Sequence, residues 1–195
     1  AEVLAQLNPQ IEAQPREEWR QLVADLQREF PCAIPQESDP LSHYGLINAV
    51  AACVDDEAII TTDVGQHQMW TAQAYPLNRP RQWLTSGGLG TMGFGLPAAI
   101  GAALANPQRK VICFSGDGSL MMNIQEMATA AENQLDVKII LLNNEALGLV
   151  HQQQSLFYQQ GVFAATYPGM INFMQIAAGF GLQTCDLNNE VDPQA

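Results

Sequence analysis

The chain has 195 residues, of which 47% are hydrophobic, and its formal net charge is -12 at pH 7. That length suffices for one domain with a proper core and some additional structure. A chain this acidic is a poor ligand for nucleic acid or for a membrane surface, so we predict neither kind of partner. Any anionic small molecule must be bound locally, through a metal ion and backbone dipoles.

The ends of the sequence and its cysteines indicate what kind of protein the chain comes from and in which compartment it occurs. It opens without Met and closes in the polar stretch NNEVDPQA, so we expect a fragment of a longer subunit. We see no signal peptide, and no apolar run reaches the ~18 residues of a membrane span. The four cysteines have no CxxC spacing, which predicts a reducing cytoplasm rather than disulfides. Cys113 and Cys185 lie in apolar runs, and we expect both to be buried.

The pattern divides the chain into three parts. Residues 1–30 contain two predicted helices, the second with apolar residues at helical spacing in REEWRQLVADLQREF. Residues 31–40 hold three prolines among polar residues and are predicted to be a linker. Residues 41–195 alternate strands with helices, which predicts an α/β fold with a doubly wound parallel sheet.

Within this last part the elements follow in order. Ser42 is a candidate cap for the first helix, and Ala58–Thr62 is a predicted strand. A helix, a short strand in RQWLT and a helix of small residues come next. After the central region a long segment broken by glycines has the character of a functional loop or lid. Asn172 is the predicted cap of a helix, and Leu182–Leu187 is a predicted last strand.

The centre of the pattern is Val111–Asn144. Two apolar runs, Val111–Phe114 and Val137–Leu142, flank a predicted helix, and this is a βαβ unit with parallel strands. Asp117 and Asn144 then follow the carboxyl ends of their strands, where open α/β sheets bind ligands. A carboxylate and an amide oxygen suit Mg²⁺ that shares its other positions with phosphate oxygens.

The next two residues complete this prediction. Gly118 and Ser119 open the helix, so backbone N–H groups would face a phosphate. Gly-Asp-Gly alone is a common turn in which Asp117 has a capping role, and its separation from Asn144 strengthens the metal-diphosphate interpretation. Neither a P-loop nor the dinucleotide motif GxGxxG is present.

Two further stretches carry candidate site residues. Gly65-Gln66-His67 follows a predicted strand and can offer side-chain donors to a diphosphate. The alternative for His67 is a helix-capping histidine. Residues 86–101 contain six glycines, which implies close approach of the backbone to a flat ligand or a partner chain. The alternative for Met92, within that stretch, is a core-filling role.

These motifs resemble a known family. GDGS, followed by a helix and ending in NN, is similar to the metal and diphosphate motif of thiamine diphosphate enzymes. VGQHQMW, SGGLGTMGFGLPAAIGA, GDGS, NNEALGLV and QQSLFY, in this order, closely resemble catalytic subunits of acetohydroxyacid synthase (acetolactate synthase), of the bacterial isozyme I type. The resemblance covers essentially the whole chain. It implies the thiamine diphosphate-binding fold, here as the diphosphate domain truncated at its C-terminal end, preceded in residues 1–30 by the end of the central domain.

The resemblance also implies roles for individual residues. Asp117, Asn144 and the backbone carbonyl of Ala146 would hold Mg²⁺. Gly90 and Met92 would be catalytic, because the Gly90 carbonyl accepts from the aminopyrimidine and Met92 wedges between the two rings of the cofactor. The residues implied to bind thiamine diphosphate are Gly65, Gln66, His67, Gly90, Met92, Gly116, Gly118, Ser119, Asn144 and Gly148.

The implied activity is the decarboxylation of pyruvate and condensation of the two-carbon unit with a second pyruvate or 2-oxobutyrate, in branched-chain amino acid biosynthesis. The implied assembly is a homodimer with the cofactor at its interface, a small regulatory subunit, and FAD in the full subunit but not in this part. The glutamate that activates the aminopyrimidine belongs to a domain absent here, so we expect this chain to be inactive alone. Gln153 stands in the substrate lid where many members have Trp, which predicts weaker preference for 2-oxobutyrate and poor herbicide binding.

Two other functions stay open from the sequence. One is another thiamine diphosphate carboligase acting on 2-oxo acids, or a pyruvate oxidase. The other is a non-catalytic α/β interaction module, in which residues 65–67, 117 and 144 are ordinary polar turns.

Overall fold

The structure, a computed structural model, describes residues 2–12, 14–31, 37, 39–167, 169 and 171–189. It forms two compact units, Ala1–Ile34 and Pro35–Ala195. Residues 32–36 and 38 of the predicted linker lie outside the described residues.

The first unit is helical. Helix α1 spans Glu2–Leu7, a 3₁₀ turn spans Asn8–Gln10, and helix α2 spans Glu17–Glu29. The apolar residues at helical spacing on α2 are exposed, with Trp19 63% and Phe30, just after the helix, 68% accessible. None of the helices that the structure describes in either unit is long and apolar enough to cross a bilayer.

The second unit is built on a parallel sheet. Its strands are β1 (Ile59–Thr62), β2 (Trp83–Thr85), β3 (Val111–Gly116) and β4 (Val137–Leu142). The order is β2-β1-β3-β4, and each neighbouring pair is parallel. All carboxyl ends therefore meet at one edge, and the predicted parallel α/β fold is confirmed.

Side chains of the central strands alternate between two cores, one on each face of the sheet. Val111 and Cys113 pack in one core with residues of the helix of small residues, including Leu96 and Ala99. Ile112 and Phe114 pack in the other core, which contains Ile47 and Ala74. The alternation follows from the two-residue period of a strand, and helices on both faces make the sheet doubly wound.

The helices of this unit were largely predicted. They are α3 (His43–Cys53), α4 (Gln66–Ala74), α5 (Gly95–Ala105), α6 (Asp117–Leu120), α7 (Glu126–Glu132), α8 (Gly148–Phe157) and α9 (Phe173–Gly179). Both predicted caps are confirmed, because Ser42 accepts from the Gly45 amide and Asn172 accepts from the Gln175 amide.

The single helix predicted after Asp117 is instead two helices, α6 and α7. Between them, the amides of Met122 and Asn123 bond to carbonyls three residues back, in a tighter turn than an α-helix makes. The Asn123 side chain also leaves the helix direction and donates to the Gly93 carbonyl at 2.6 Å. This contact with a distant loop, which local propensity does not reveal, accompanies the break.

The predicted last strand, Leu182–Leu187, is wrong. The segment follows α9 without pairing to any strand within the described residues, and Asp186 organises a turn by accepting from the Asn188 and Asn189 side chains. A segment of strand-forming residues becomes a strand only when a neighbouring strand bonds to it. Cys113 is buried as expected, whereas Cys185 is exposed, so its predicted burial is also wrong.

Candidate functional site

An open cleft lies at the carboxyl edge of the sheet. Its walls come from the loops that follow β1, β3 and β4 and from the start of α8. The lining includes the following predicted site residues: Gly65, Gln66, His67, Met92, Gly116, Asp117, Gly118, Ser119, Asn144, Ala146 and Gly148. Residues far apart in sequence are therefore brought together by the parallel strands.

Asp117 is the acidic centre of the cleft. The residue is 2% exposed, and its Oδ2 accepts from the Ala146 amide at 3.2 Å. Burial raises the pKa of Asp117 above its ordinary value, although backbone amides, including that of Gly118, favour the charged form. A cation bound here would remove that burial penalty, because a bound metal ion inverts the local pKa balance.

Asn144 belongs to a short relay of amide side chains. Its Nδ2 donates to Oε1 of Gln66 at 3.3 Å, and Nε2 of Gln66 donates to Oε1 of Gln152 on α8 at 2.8 Å. Gly148 lies against this relay, because a Cβ built there would overlap the ends of Gln66 and Asn144. The relay fixes Asn144 relative to α4 and α8. The Oδ1 atom of Asn144 takes no part in the relay.

His67 is buried rather than a surface cap. It is 5% exposed, and burial lowers its pKa from 6.5 to about 4, while the Asp63 charge and a hydrogen bond with the Asp63 backbone act in the opposite direction. Its Nε2 has no hydrogen-bond partner among the residues that the structure describes. A buried polar atom without a partner is costly, and at the wall of a cleft it is a candidate contact for a ligand.

Glycines bring the backbone close to the neighbouring groups. A Cβ on Gly116 would lie 2.7 Å from Nδ1 of His67, and a Cβ on Gly118 would lie 2.5 Å from the Tyr167 hydroxyl. Ser119 donates its hydroxyl to the Val64 carbonyl at 2.9 Å, so it ties the loop after β3 to the loop after β1. Because α6 has only four residues, any anion here would depend on individual N–H groups more than on a long helix dipole.

Gly90 and Met92 lie on the loop between β2 and α5. Gly90 has φ +73 and an exposed position, and a Cβ there would lie 4.0 Å from Cγ1 of Val64 in the cleft wall. Gly90 is therefore beside the lining residues and not among them, whereas Met92 is part of the lining.

Gln153 lies outside the lining and is exposed on α8. Its two neighbours are engaged instead, since Gln152 bonds to Gln66 and Gln154 bonds to both backbone groups of Phe163. In the expected lid, Gln152 therefore belongs to the relay, Gln153 is exposed, and Gln154 holds the following loop.

Two residues of the site were not predicted. Asp63, directly after β1, is 1% exposed and accepts from the Gly93 and Phe94 amides and from the Ser115 hydroxyl. Its position at a strand end, the same signal that identified Asp117, could have indicated it.

Tyr167 is the second, and no local signal marks it. It reaches the cleft because the chain returns past the loop after β4, where Ala146 and Thr166 form an isolated antiparallel bridge. The Tyr167 hydroxyl is buried and lacks a hydrogen-bond partner in the described part of the chain. Burial and the nearby Asp117 charge raise its pKa.

In the described ranges no group of three or more His, Cys, Asp or Glu side chains is placed to hold a metal ion. A metal at this cleft would have to combine the Asp117 carboxylate with amide and backbone oxygens. That donor set is the one Mg²⁺ accepts when it keeps several waters or phosphate oxygens.

Comparison with known proteins gives a consistent result. Residues 63–194 match the family described as thiamine pyrophosphate enzyme, C-terminal TPP binding domain. The chain is 90% identical over 194 residues to the acetolactate synthase isozyme 1 large subunit of Escherichia coli K12, covering 100% of the chain and 34% of that relative. It is 48% identical over 141 residues to the chloroplastic acetolactate synthase of Arabidopsis thaliana, covering 72% of the chain and 21% of that protein.

A solved structure is similar as well. The thiamine diphosphate-dependent 4-hydroxybenzoylformate decarboxylase of Rhodococcus jostii RHA1 aligns with a TM-score of 0.66 and 31% identity, over 72% of this chain and 26% of that one. The chain spans between about a fifth and a third of the length of the curated relatives it matches.

Proposed function

The chain belongs to the thiamine pyrophosphate (thiamine diphosphate) enzymes through their C-terminal TPP-binding domain, and from this we propose that it is the cofactor-binding part of an acetolactate synthase large subunit. The identity of 90% across the chain supports the synthase in particular. The observation that carries the proposal is the buried Asp117 carboxylate in a cleft beside Asn144 and a backbone rich in glycine.

Asp117, Asn144 and the Ala146 carbonyl would hold Mg²⁺. Support comes from their common position at the ends of β3 and β4 and from the raised pKa of Asp117, which a metal ion would offset. The hydrogen bond from the Ala146 amide to Asp117 links the two loops, so both sides of the metal position would move together.

The diphosphate would lie against backbone N–H groups of Gly118 and Ser119, beside Gly65, Gln66, His67, Gly116 and Gly148. The unpartnered Nε2 of His67 supports this, because a buried polar atom at a cleft wall gains most from a ligand. The Gln66 relay would hold Asn144 in place as the ligand binds.

Gly90 and Met92 are the proposed catalytic residues. When bound, thiamine diphosphate supplies the carbon that adds to a 2-oxo acid and the electron sink for decarboxylation. Met92 would shape the cofactor by filling the space between its two rings, and the Gly90 carbonyl would orient the aminopyrimidine. The positive φ of Gly90 and its exposed loop are compatible with close approach of a flat ring.

The whole protein would act on 2-oxo acids, joining a two-carbon unit from pyruvate to a second pyruvate or to 2-oxobutyrate. We propose a homodimer with the cofactor at its interface, a small regulatory subunit, FAD bound elsewhere in the full subunit, and a cytoplasmic location. Gln153 would stand in the lid, where its lack of a large apolar surface would weaken the preference for 2-oxobutyrate over pyruvate.

A second candidate is another thiamine diphosphate enzyme that acts on 2-oxo acids. The similarity to a 4-hydroxybenzoylformate decarboxylase favours it. Product analysis with pyruvate separates the two, because a synthase forms 2-acetolactate whereas a decarboxylase releases an aldehyde.

The test uses the full-length subunit with Asp117→Asn, and Asp136→Asn as a matched control at an exposed site beside Lys138. Asp117→Asn should abolish Mg²⁺-dependent binding of thiamine diphosphate in calorimetry and the formation of acetolactate. The control should match the unaltered subunit. Retained binding by Asp117→Asn would remove the metal assignment.

A further inference from the structure

Asp63 is a buried carboxylate that the proposed chemistry does not use. It follows β1 directly, and its own amide continues the ladder by donating to the Phe114 carbonyl at 3.2 Å. One carboxylate oxygen, Oδ1, accepts from the Gly93 amide at 2.6 Å and from the Phe94 amide at 3.0 Å. The other, Oδ2, accepts from the Ser115 hydroxyl at 3.1 Å.

These bonds connect the sheet to the loop that carries Met92. Ser115 lies on β3, so one carboxylate spans the ends of the two central strands and the amides that precede α5. Phe94, the residue before α5, makes no side-chain cap, and Asp63 instead accepts from the two amides that precede the helix, where a carboxylate is favoured by the helix dipole.

The loop is held most tightly just after Met92. The Gly93 amide bonds to Asp63, and the Gly93 carbonyl accepts from Nδ2 of Asn123 at 2.6 Å. Gly93 has φ +83, and a Cβ there would lie 2.8 Å from both Asn123 and Met122. The peptide group between Met92 and Gly93 therefore has one orientation, set by Asp63.

Among the residues that the structure describes, nothing comparable holds the other side of Met92. Residues 87–91 are exposed, and the amides of Gly90 and Thr91 donate to Ser86 within the same loop. The direction in which Met92 enters the cleft is consequently determined from the Gly93 side.

We propose that Asp63 is the positioning residue for Met92, holding the Met92–Gly93 peptide so that the methionine side chain stands in the cleft. This inference depends on the proposed function, in which Met92 shapes the bound thiamine diphosphate. Asn123 acts on the next peptide, Gly93–Phe94, through the Gly93 carbonyl and has a secondary role.

The experiment uses the full-length subunit loaded with Mg²⁺ and thiamine diphosphate. Two quantities are measured: the dissociation constant of the cofactor, and the rate at which its C2 hydrogen exchanges for deuterium in D₂O. Asp63→Ala should slow the exchange by about 100-fold, the loss expected from a small misplacement of a positioning group. The dissociation constant of the cofactor from this variant should change far less, because the metal and diphosphate contacts stay in place.

Two variants separate positioning from stability. Asp63→Asn retains an oxygen that accepts from Gly93 and Phe94 and should restore most of the exchange rate. Asp56→Asn, the same change at an exposed site before β1, should leave both quantities unaltered. If Asp63→Ala does not fold, Asn123→Ala decides, and it should slow exchange with little change in cofactor affinity.

The outcomes are distinct. Exchange at the unaltered rate in folded Asp63→Ala, or in Asn123→Ala where that variant decides, would overturn the positioning role. Equal losses in exchange and affinity would also overturn it, since they indicate general damage to the site. An unaltered subunit that binds no thiamine diphosphate would instead overturn the proposed function itself.

Discussion

The amide nitrogen of Ala146 lies 3.2 Å from Oδ2 of Asp117, so the loop after β4 is bonded directly to the residue that follows β3. Without a metal ion, the Asp117 carboxylate thus has a neutral amide as its partner, whereas the proposed site would give it a cation. The buried charge is therefore held before any metal binds, at a cost to the stability of the chain alone.

Asp117→Asn should consequently affect stability and binding in opposite directions. Asparagine keeps an oxygen for the Ala146 amide and removes the buried charge, so the Tm of this chain without metal should stay equal or rise. Thermal unfolding followed by circular dichroism, with and without Mg²⁺, measures it. A clear fall in Tm without metal would contradict the burial argument.

His67 should make stability depend on pH. Its pKa is about 4 in the folded chain and 6.5 when solvated, so the unfolded state takes up a proton first as the pH falls. The free energy of unfolding should therefore decrease between pH 6.5 and pH 4, by about 3 kcal/mol from this residue.

Urea titrations at several pH values measure this effect. Carboxylates titrate over the same range, so the informative quantity is the difference between the unaltered chain and His67→Gln. His151→Gln, in the first turn of α8, is the matched control and should retain the full slope. An equal slope in His67→Gln would show that His67 is solvated.

Gly116→Ala should destabilise the chain by about 1–3 kcal/mol, as expected for an added methyl group in a packed site. The new Cβ would lie 2.7 Å from Nδ1 of His67, so the imidazole or the strand end must shift. Gly101→Ala is the control. It adds a methyl group to α5 where no atom lies within 4 Å, and it should stabilise the chain by about 0.5–1 kcal/mol. Similar effects in both variants would rule out the contact.

Gln154→Ala should release the loop after α8. The Gln154 side chain both donates to the Phe163 carbonyl and accepts from the Phe163 amide, each at 3.1 Å. Without these bonds, hydrogen exchange should accelerate at residues 159–163. Gln153→Ala, at an exposed position, should leave the exchange unchanged.

Much of the fold follows from the sequence because apolar runs and helical spacing report burial locally. The four strands and both side-chain caps were predicted on that basis. Leu182–Leu187 was also predicted to be a strand, yet it lacks a partner strand among the described residues, and pairing is a property of the whole sheet. The division between α6 and α7 likewise accompanies a contact between Asn123 and a loop thirty residues away.

The residues of the candidate site likewise fall into those that the sequence could reveal and those that it could not. Residues directly after strand ends, such as Asp117 and Asn144, could be found because a parallel sheet collects those ends at one edge. Tyr167 could not, since its approach to Gly118 depends on the return of the chain along Ala146. The burial of His67 could not be predicted either, because it lies against Gly65, which follows β1, and Gly116, the last residue of β3, and these are far apart in sequence.

The strand order β2-β1-β3-β4 has a kinetic consequence. Every neighbouring pair is parallel, and β1 pairs with β3 across some fifty residues of intervening chain, so the sheet edge is assembled only after long-range closure. Such topologies fold slowly, and contacts made after the rate-limiting step affect the unfolding rate alone. A ligand that bridges the ends of β1, β3 and β4 would therefore lengthen the lifetime of the folded chain without hastening its formation.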